Sequence, residues 1–188
     1  LVWTTTPWTL ISNVALAVGP EYDYVKIRHQ GDILILAKAL LGVLEGDYEL
    51  LEKFKGSKLV GKRYEPCFPY FKDAEGGFRV IAADFVTLTD GTGIVHTAPA
   101  FGEDDYRAGT EENLPFVQPV DQDGKFTDEV EKWAGRFVKD CDEEIIADLE
   151  ERGLLYRSEE IRHSYPFCWR CDSPLLYYAR RSWYIKTT

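Results

Sequence analysis

The stretch Gly91–Tyr106, GTGIVHTAPAFGEDDY, decides how the rest of the chain is read. Gly91 and Gly93 flank Thr92, a spacing suited to a tight turn with close backbone approach. Ile94 and Val95 predict a short buried strand. His96 falls where that strand ends, and Pro99 stops its continuation. After Gly102, the run Glu103-Asp104-Asp105 predicts the first turn of a helix, where free N–H groups and the helix dipole favour negative charge. An imidazole at a strand end and a carboxylate at a helix start, nine residues apart, can line one cleft. Two readings stand. In one, His96 is a hydrogen-bonded strand-end histidine and Asp105 belongs to a solvated helix start. In the other they form a small polar site, with an imidazole working near neutral pH and an ionised carboxylate receiving an ammonium group.

Two further stretches carry chemistry. In Thr4-Thr5-Thr6-Pro7-Trp8-Thr9 the first three residues are β-prone, so Thr4 and Thr6 share one face. Thr6 lies just before the proline break, where its N–H and hydroxyl can meet a ligand. Such a rim grips an ester carbonyl or ribose hydroxyl, or holds a water; equally, threonines are simply good strand residues. The second stretch, Cys168-Trp169-Arg170-Cys171, forms a knuckle offering two thiolates. Tetrahedral structural zinc needs four ligands. Cys67 and Cys141 are isolated and no His pair has the right spacing, so this is half a site whose completing knuckle is expected outside the chain.

Length and composition bound the rest. The chain has 188 residues, 45% hydrophobic and 14% aromatic, enough for one domain with a real core. No apolar run approaches the ~20 residues needed to span a bilayer, and no signal peptide opens the chain. It contains no Met and begins in a β-prone run, which suggests a domain of a longer protein. Four cysteines are too few for a disulfide scaffold and point to a reducing compartment. The net charge of −10 argues against broad nucleic-acid binding. From Arg152 to Thr188, however, seven Lys/Arg face three acids. That strip suits either a phosphate backbone or a solvated face with a junction to further chain.

Strands are predicted at Val14–Val18, Tyr22–Arg28, Asp32–Leu36, Tyr48–Phe54, Phe78–Ala82 and Phe85–Leu88, with a strand or ribbon at Leu154–Ser164. Short helices are predicted at Ala37–Leu44 and Glu103–Glu112. The best helix is Lys139–Arg152, with Asp140 and Glu143 at capping-box spacing and an apolar stripe of Ile145, Ile146 and Leu149. Many short strands with few helices predict an α+β, mainly β fold: a distorted β-barrel, closed or partly closed, flanked by short helices. Residues 1–164 form the barrel domain, and 165–188 a Cys-x-x-Cys segment with a return linker.

WTTTPWTL at Trp3–Leu10 and GTGIVHTAPAFGEDDY at Gly91–Tyr106 resemble the editing domain of isoleucyl-tRNA synthetase, the insertion that splits the core of that class I enzyme. YPFCWRC at Tyr165–Cys171 and the RRSWYI ending resemble the segment where the insertion rejoins the core. Valyl and leucyl relatives carry Thr-Thr-Arg-Pro instead of Thr-Thr-Thr-Pro and lack a histidine at the position of His96. Ser12-Asn13 is more similar to the eukaryotic cytosolic branch.

The resemblance implies a hydrolase that clears mischarged valyl-tRNA(Ile), with valyl-adenylate as a second substrate, while isoleucine is excluded by size; the alternative is a non-catalytic barrel that binds the CCA end or an aminoacyl moiety. It implies that Asp105 binds the substrate α-ammonium and that His96 contacts the terminal adenosine and closes the pocket, the choice between a general base and a steric, hydrogen-bonding element staying open for His96. Thr6, with Thr4 and Thr5, matches the threonine-rich edge, and Asn13 an asparagine near the site. Trp8 and the 97–101 loop, with Ala98, Pro99, Ala100 and Phe101, are expected as pocket walls. No nucleophile is apparent, so a positioned water is expected to attack. The implied partners are the tRNA 3′ end, the valyl moiety and the rest of a cytoplasmic synthetase, with the chain itself monomeric. No cofactor is expected in the chain itself; the Cys168/Cys171 half-site leaves zinc open for the full-length protein, and ATP is expected at the catalytic core.

Overall fold

The computed structural model describes residues 1–159, 166–180, 182, 183, 185 and 187. Two three-stranded sheets carry the chain. In the first, β1 (Ala15–Val18) lies between β5 (Arg79–Ala82) and β6 (Ile94–Thr97), parallel to β5 and antiparallel to β6. Its residues are small and apolar, and Ala15, Ala17 and Val18 are fully buried, which lets both neighbours close on a central strand. The register sets Leu16 opposite His96, and this fixes where the imidazole emerges.

In the second sheet, β2 (Asp23–His29) lies between β3 (Asp32–Ala37) and β4 (Glu49–Lys55), antiparallel to both. Gln30 and Gly31 both have positive φ, 50° and 97°, and form the two-residue hairpin turn whose twist matches the strands. The Tyr24 hydroxyl links the sheets: it donates to Gly93 O at 2.6 Å and accepts from Gly19 N–H at 3.1 Å.

The α+β class expected from sequence holds, but the barrel does not close. Among the described residues the strands pair as two separate sheets, and the segment expected as a strand at 85–88 pairs with none. The first residues make only an isolated bridge, Trp3 to Val95. No strand forms over 154–159; the remainder of that expected ribbon, the proposed boundary at 164/165 and part of the RRSWYI ending lie outside the described residues.

Helix α1 (Glu103–Glu111) follows Gly102 and carries Glu103, Asp104 and Asp105 in its first turn. Helix α2 (Asp142–Glu151) begins later than the capping-box spacing predicts, because Val138–Cys141 forms a 3-10 turn ahead of it. No side chain caps α2 from Cys141; Asp142 instead accepts the Trp8 N–H at 2.9 Å. Ile145 and Leu149 pack into a core with Trp8, Phe126 and Trp133. Complete burial of Ile145 stabilises the fold by about 2 kcal/mol. No helix of the described residues is long and apolar enough to cross a membrane.

Candidate functional site

Pro7 begins a 3-10 turn over Pro7–Ser12, with Thr6 as its N-cap residue. A proline at that position loses no hydrogen bond and has its φ preset. The turn folds Thr9 back onto Thr6: Thr9 N–H donates to Thr6 O at 3.0 Å, and the Thr9 hydroxyl donates to the same oxygen at 2.8 Å. The two hydroxyl oxygens are 3.0 Å apart. Thr6 N–H donates to Thr4 Oγ1 at 3.1 Å, and Trp3 N–H to Ile94 O at 3.0 Å. The threonine run is thereby fastened beside β6.

Beside it, β6 supplies His96, and α1 supplies Asp105. Gly91 and Gly93, both at φ near +75°, make the turn before β6, as the sequence indicates. Asp105 Oδ1 accepts the Ala98 N–H at 3.0 Å, so the carboxylate braces the loop between strand and helix. Gly102 admits that arrangement: a Cβ there would sit 2.2 Å from Asp105 Oδ2. Burial raises the Asp105 pKa, while the Ala98 N–H and its own N–H pull it down. A carboxylate partly stripped of water gains most from a cationic partner.

These groups share one cavity of about 200 Å³. Thr4, Thr5, Thr6, Thr9, His96 and Asp105 supply its polar lining, and Trp3, Val95, Ala98 and Phe101 the apolar part. His96 is only 9% exposed, and burial pushes its imidazole down to about 4. It is therefore neutral at pH 7. Its Nε2 lies 3.1 Å from Thr9 Oγ1, and its buried Nδ1 has no hydrogen-bond partner. The arrangement offers a recess lined by apolar surface, one carboxylate and several hydroxyls.

Not every expected residue reaches this cavity. Trp8 stands behind it, buried and edge-on to Phe101 with ring centroids 4.9 Å apart. Pro99 packs beneath α1, where a Cβ on Gly109 would meet its Cγ at 2.7 Å. Ala100 is buried, and its carbonyl accepts the Ala179 N–H at 2.7 Å. Asn13 faces a different, larger cavity of about 510 Å³. Its Nδ2 donates to Ala15 O at 2.8 Å, and its Oδ1 accepts from the Tyr64 hydroxyl. We place the site in the smaller cavity because it, and not the larger one, joins Asp105 to the threonines. The sequence reading missed Thr9. Its signal was there: Pro7 as the first residue of a turn, rather than as a break, returns the third residue after Thr6 to Thr6 itself.

Cys168 and Cys171 form the expected knuckle. Cys168 N–H donates to Ser173 O at 2.8 Å, and Cys171 Sγ lies 3.2 Å from Ser173 Oγ. That contact heads the causes that lower the Cys171 pKa. Among the described residues no three His, Cys, Asp or Glu side chains gather to hold a metal. Along the basic strip, Arg152 pairs with Asp148, Arg157 with Glu45 and Glu159, and Arg170 covers the Trp169 ring.

The chain aligns end to end with proteins described as isoleucine–tRNA ligase. It is 56% identical to that of Clostridium acetobutylicum over 188 residues, all of this chain and 18% of the relative. It is 55% identical to that of Bacillus thuringiensis over 189 residues, and 52% identical to that of Bdellovibrio bacteriovorus over 193. The chain thus spans under a fifth of these relatives' length. All three are bacterial, and the leaning toward a eukaryotic cytosolic branch finds no support among them. No family model matches. Among solved structures, the fold is similar to GlLeuRS-CP1, with TM-score 0.63 and 16% identity over 84% of this chain and 83% of that one. It is also similar to the editing domain of the P. falciparum cytosolic leucyl-tRNA synthetase, with TM-score 0.60 and 13% identity over 79% of this chain and 75% of that one.

Proposed function

We propose, from the premise that this chain belongs to the isoleucyl-tRNA synthetase family as a segment of it, that it is the part that hydrolyses valine mistakenly esterified to tRNA(Ile). Synthesis alone discriminates poorly, since one missing methylene is worth only ~1–3 kcal/mol, a limit for which isoleucyl-tRNA synthetase is itself the standard example. A second site that admits valine and excludes isoleucine by size removes the error.

The observation that carries this reading is the cavity of about 200 Å³ whose lining includes both Asp105 and Thr4–Thr6. Asp105 receives the α-ammonium and fixes the amino acid's orientation. Thr6 and its neighbours hold the water that attacks the ester carbonyl, so that proximity supplies most of the acceleration. A ribose hydroxyl of the substrate assists departure of the tRNA oxygen. His96, neutral at pH 7, shapes the recess and contacts the terminal adenosine. Its protonation state does not change between about pH 6 and 8, so its titration puts no step in single-turnover hydrolysis over that range. Valyl-adenylate presents the same ammonium and side chain and enters the same recess.

The partners are the 3′ end of tRNA(Ile) and the remainder of a cytoplasmic synthetase, whose catalytic core consumes the ATP. Cys168 and Cys171 supply two of the four thiolates or imidazoles of a zinc site completed by residues elsewhere in the full-length enzyme.

The test is single-turnover deacylation of valyl-tRNA(Ile) by the full-length synthetase, wild type against Asp105→Ala, with isoleucylation as the control. Slower deacylation at unchanged isoleucylation is expected. Equal deacylation rates would end the assignment. Valyl-adenosine binding without any hydrolysis by the wild type would leave a binding module instead.

A further inference from the structure

Thr9 sits where three polar atoms converge on one hydroxyl. Thr6 O lies at 2.8 Å, Thr6 Oγ1 at 3.0 Å and His96 Nε2 at 3.1 Å. A hydroxyl has one proton and two lone pairs. The carbonyl oxygen can only accept, and two oxygens 2.8 Å apart with no proton between them repel. The Thr9 proton therefore points at Thr6 O. Both other neighbours must then donate: Thr6 through its hydroxyl proton and His96 through Nε2–H. The imidazole agrees independently. Its Nδ1 is buried without a partner, and an unpaired lone pair is better tolerated there than an unpaired N–H.

We propose that Thr9 is a positioning residue that locks His96 as the Nε2–H tautomer and commits the Thr6 proton inward, so that the Thr6 oxygen faces the cavity as an acceptor only. The consequence for hydrolysis rests on the functional reading above. Thr6 is not activated as a nucleophile in this arrangement, because its proton is given to the Thr9 hydroxyl, which is no base at neutral pH. Instead Thr6 Oγ1 accepts one hydrogen of the attacking water and turns the water's lone pair toward the ester carbonyl. Water adds to the carbonyl carbon, the C–O bond to the ribose breaks, and the ribose oxygen leaves as a hydroxyl carrying one of the attacking water's protons, the other staying with the amino acid's new carboxyl group. Thr9 is 4% exposed and lines the cavity, and it acts through its two neighbours rather than on substrate.

The test measures single-turnover deacylation of valyl-tRNA(Ile) by the full-length synthetase carrying Thr9→Ser, Thr9→Val, His96→Gln, His96→Ala or Asp105→Asn. Thr9→Ser keeps the hydroxyl and loses a methyl; Thr9→Val keeps the shape and loses the hydroxyl. Thr9→Ser should remain within about threefold of wild type. Thr9→Val should lower kcat about 10- to 100-fold with KM nearly unchanged, as expected when a reacting group is misaligned without loss of binding. A purely packing role predicts the opposite order. His96→Gln retains an N–H at the Nε2 position and should stay well above His96→Ala, which decides the matter should Thr9→Val not fold. Wild-type kcat in Thr9→Val, equal losses in Ser and Val, or equal losses in Gln and Ala would overturn the positioning role. Asp105→Asn separates the two claims: if it too has no effect, the functional reading has failed, and if it alone slows hydrolysis, only the role of Thr9 has.

Discussion

The buried imidazole makes a sharp prediction about acid. Burial holds His96 near a pKa of about 4 against its ordinary 6.5. Between those values the unfolded chain binds a proton that the folded chain refuses. The stability contributed by keeping His96 neutral is therefore complete above pH 6.5 and drains away as pH falls toward 4. At ~1.36 kcal/mol per pH unit this is worth ~3 kcal/mol, most of it lost between pH 7 and about 4.5.

Asp142 works in the other direction. Burial raises it from 3.8 to about 6, so its penalty is present at neutral pH and is relieved as pH falls through 6 toward 3.8. Half-buried beside a helix start, it is discounted to ~1.5 kcal/mol. The two oppose each other, and Asp105, also raised by burial, adds to the second. His96→Gln removes the first effect alone, so the variant should lose less stability than the wild type as pH falls. Urea unfolding at a series of pH values, followed by the fluorescence of buried Trp8 and Trp133, gives both slopes. Surface ion pairs are common to the two proteins and cancel in the difference. Parallel pH dependences for wild type and His96→Gln would refute the argument.

Other outcomes follow from the same geometry. Asp105→Asn removes a charged acceptor worth ~1.5–3 kcal/mol, so valyl-tRNA deacylation by the full-length enzyme should slow about 10- to 150-fold. Gly102→Ala should slow it at least ~10-fold with near-normal thermal stability, because its φ of −157° suits alanine while the new Cβ displaces Asp105 Oδ2. Asp142→Asn keeps an acceptor for the Trp8 N–H and removes a partly desolvated charge, so the urea midpoint at pH 7 should stay level or rise by the equivalent of ~1 kcal/mol.

Much of this architecture was legible because its signals are local. The β2–β3 hairpin follows from Gln30-Gly31 between two alternating runs, and α1 from an acidic first turn behind Gly102. The parallel pairing of β1 with β5 was not legible, since its partners are brought together by packing across some sixty intervening residues. Val86 is buried without any strand partner, so apolar content around 85–88 reported burial rather than pairing. At the site, His96 and Asp105 could be joined from sequence because one short loop connects them. Asn13 and Trp8 could not be placed, because the turn begun at Pro7 rotates them toward the larger cavity and the core. The same turn hid Thr9 from a reading that treated Pro7 only as an interruption.

Trp3, Thr4, Thr5 and His96 line the small cavity and the large one alike. They are held in common, so neither room is furnished independently. The Trp3 ring rests against Gly91, where even a methyl group would come within 2.7 Å. A residue so tightly shimmed does not shift for one tenant alone. An engineer wishing to admit a bulkier amino acid through these positions would have to reckon with both rooms at once.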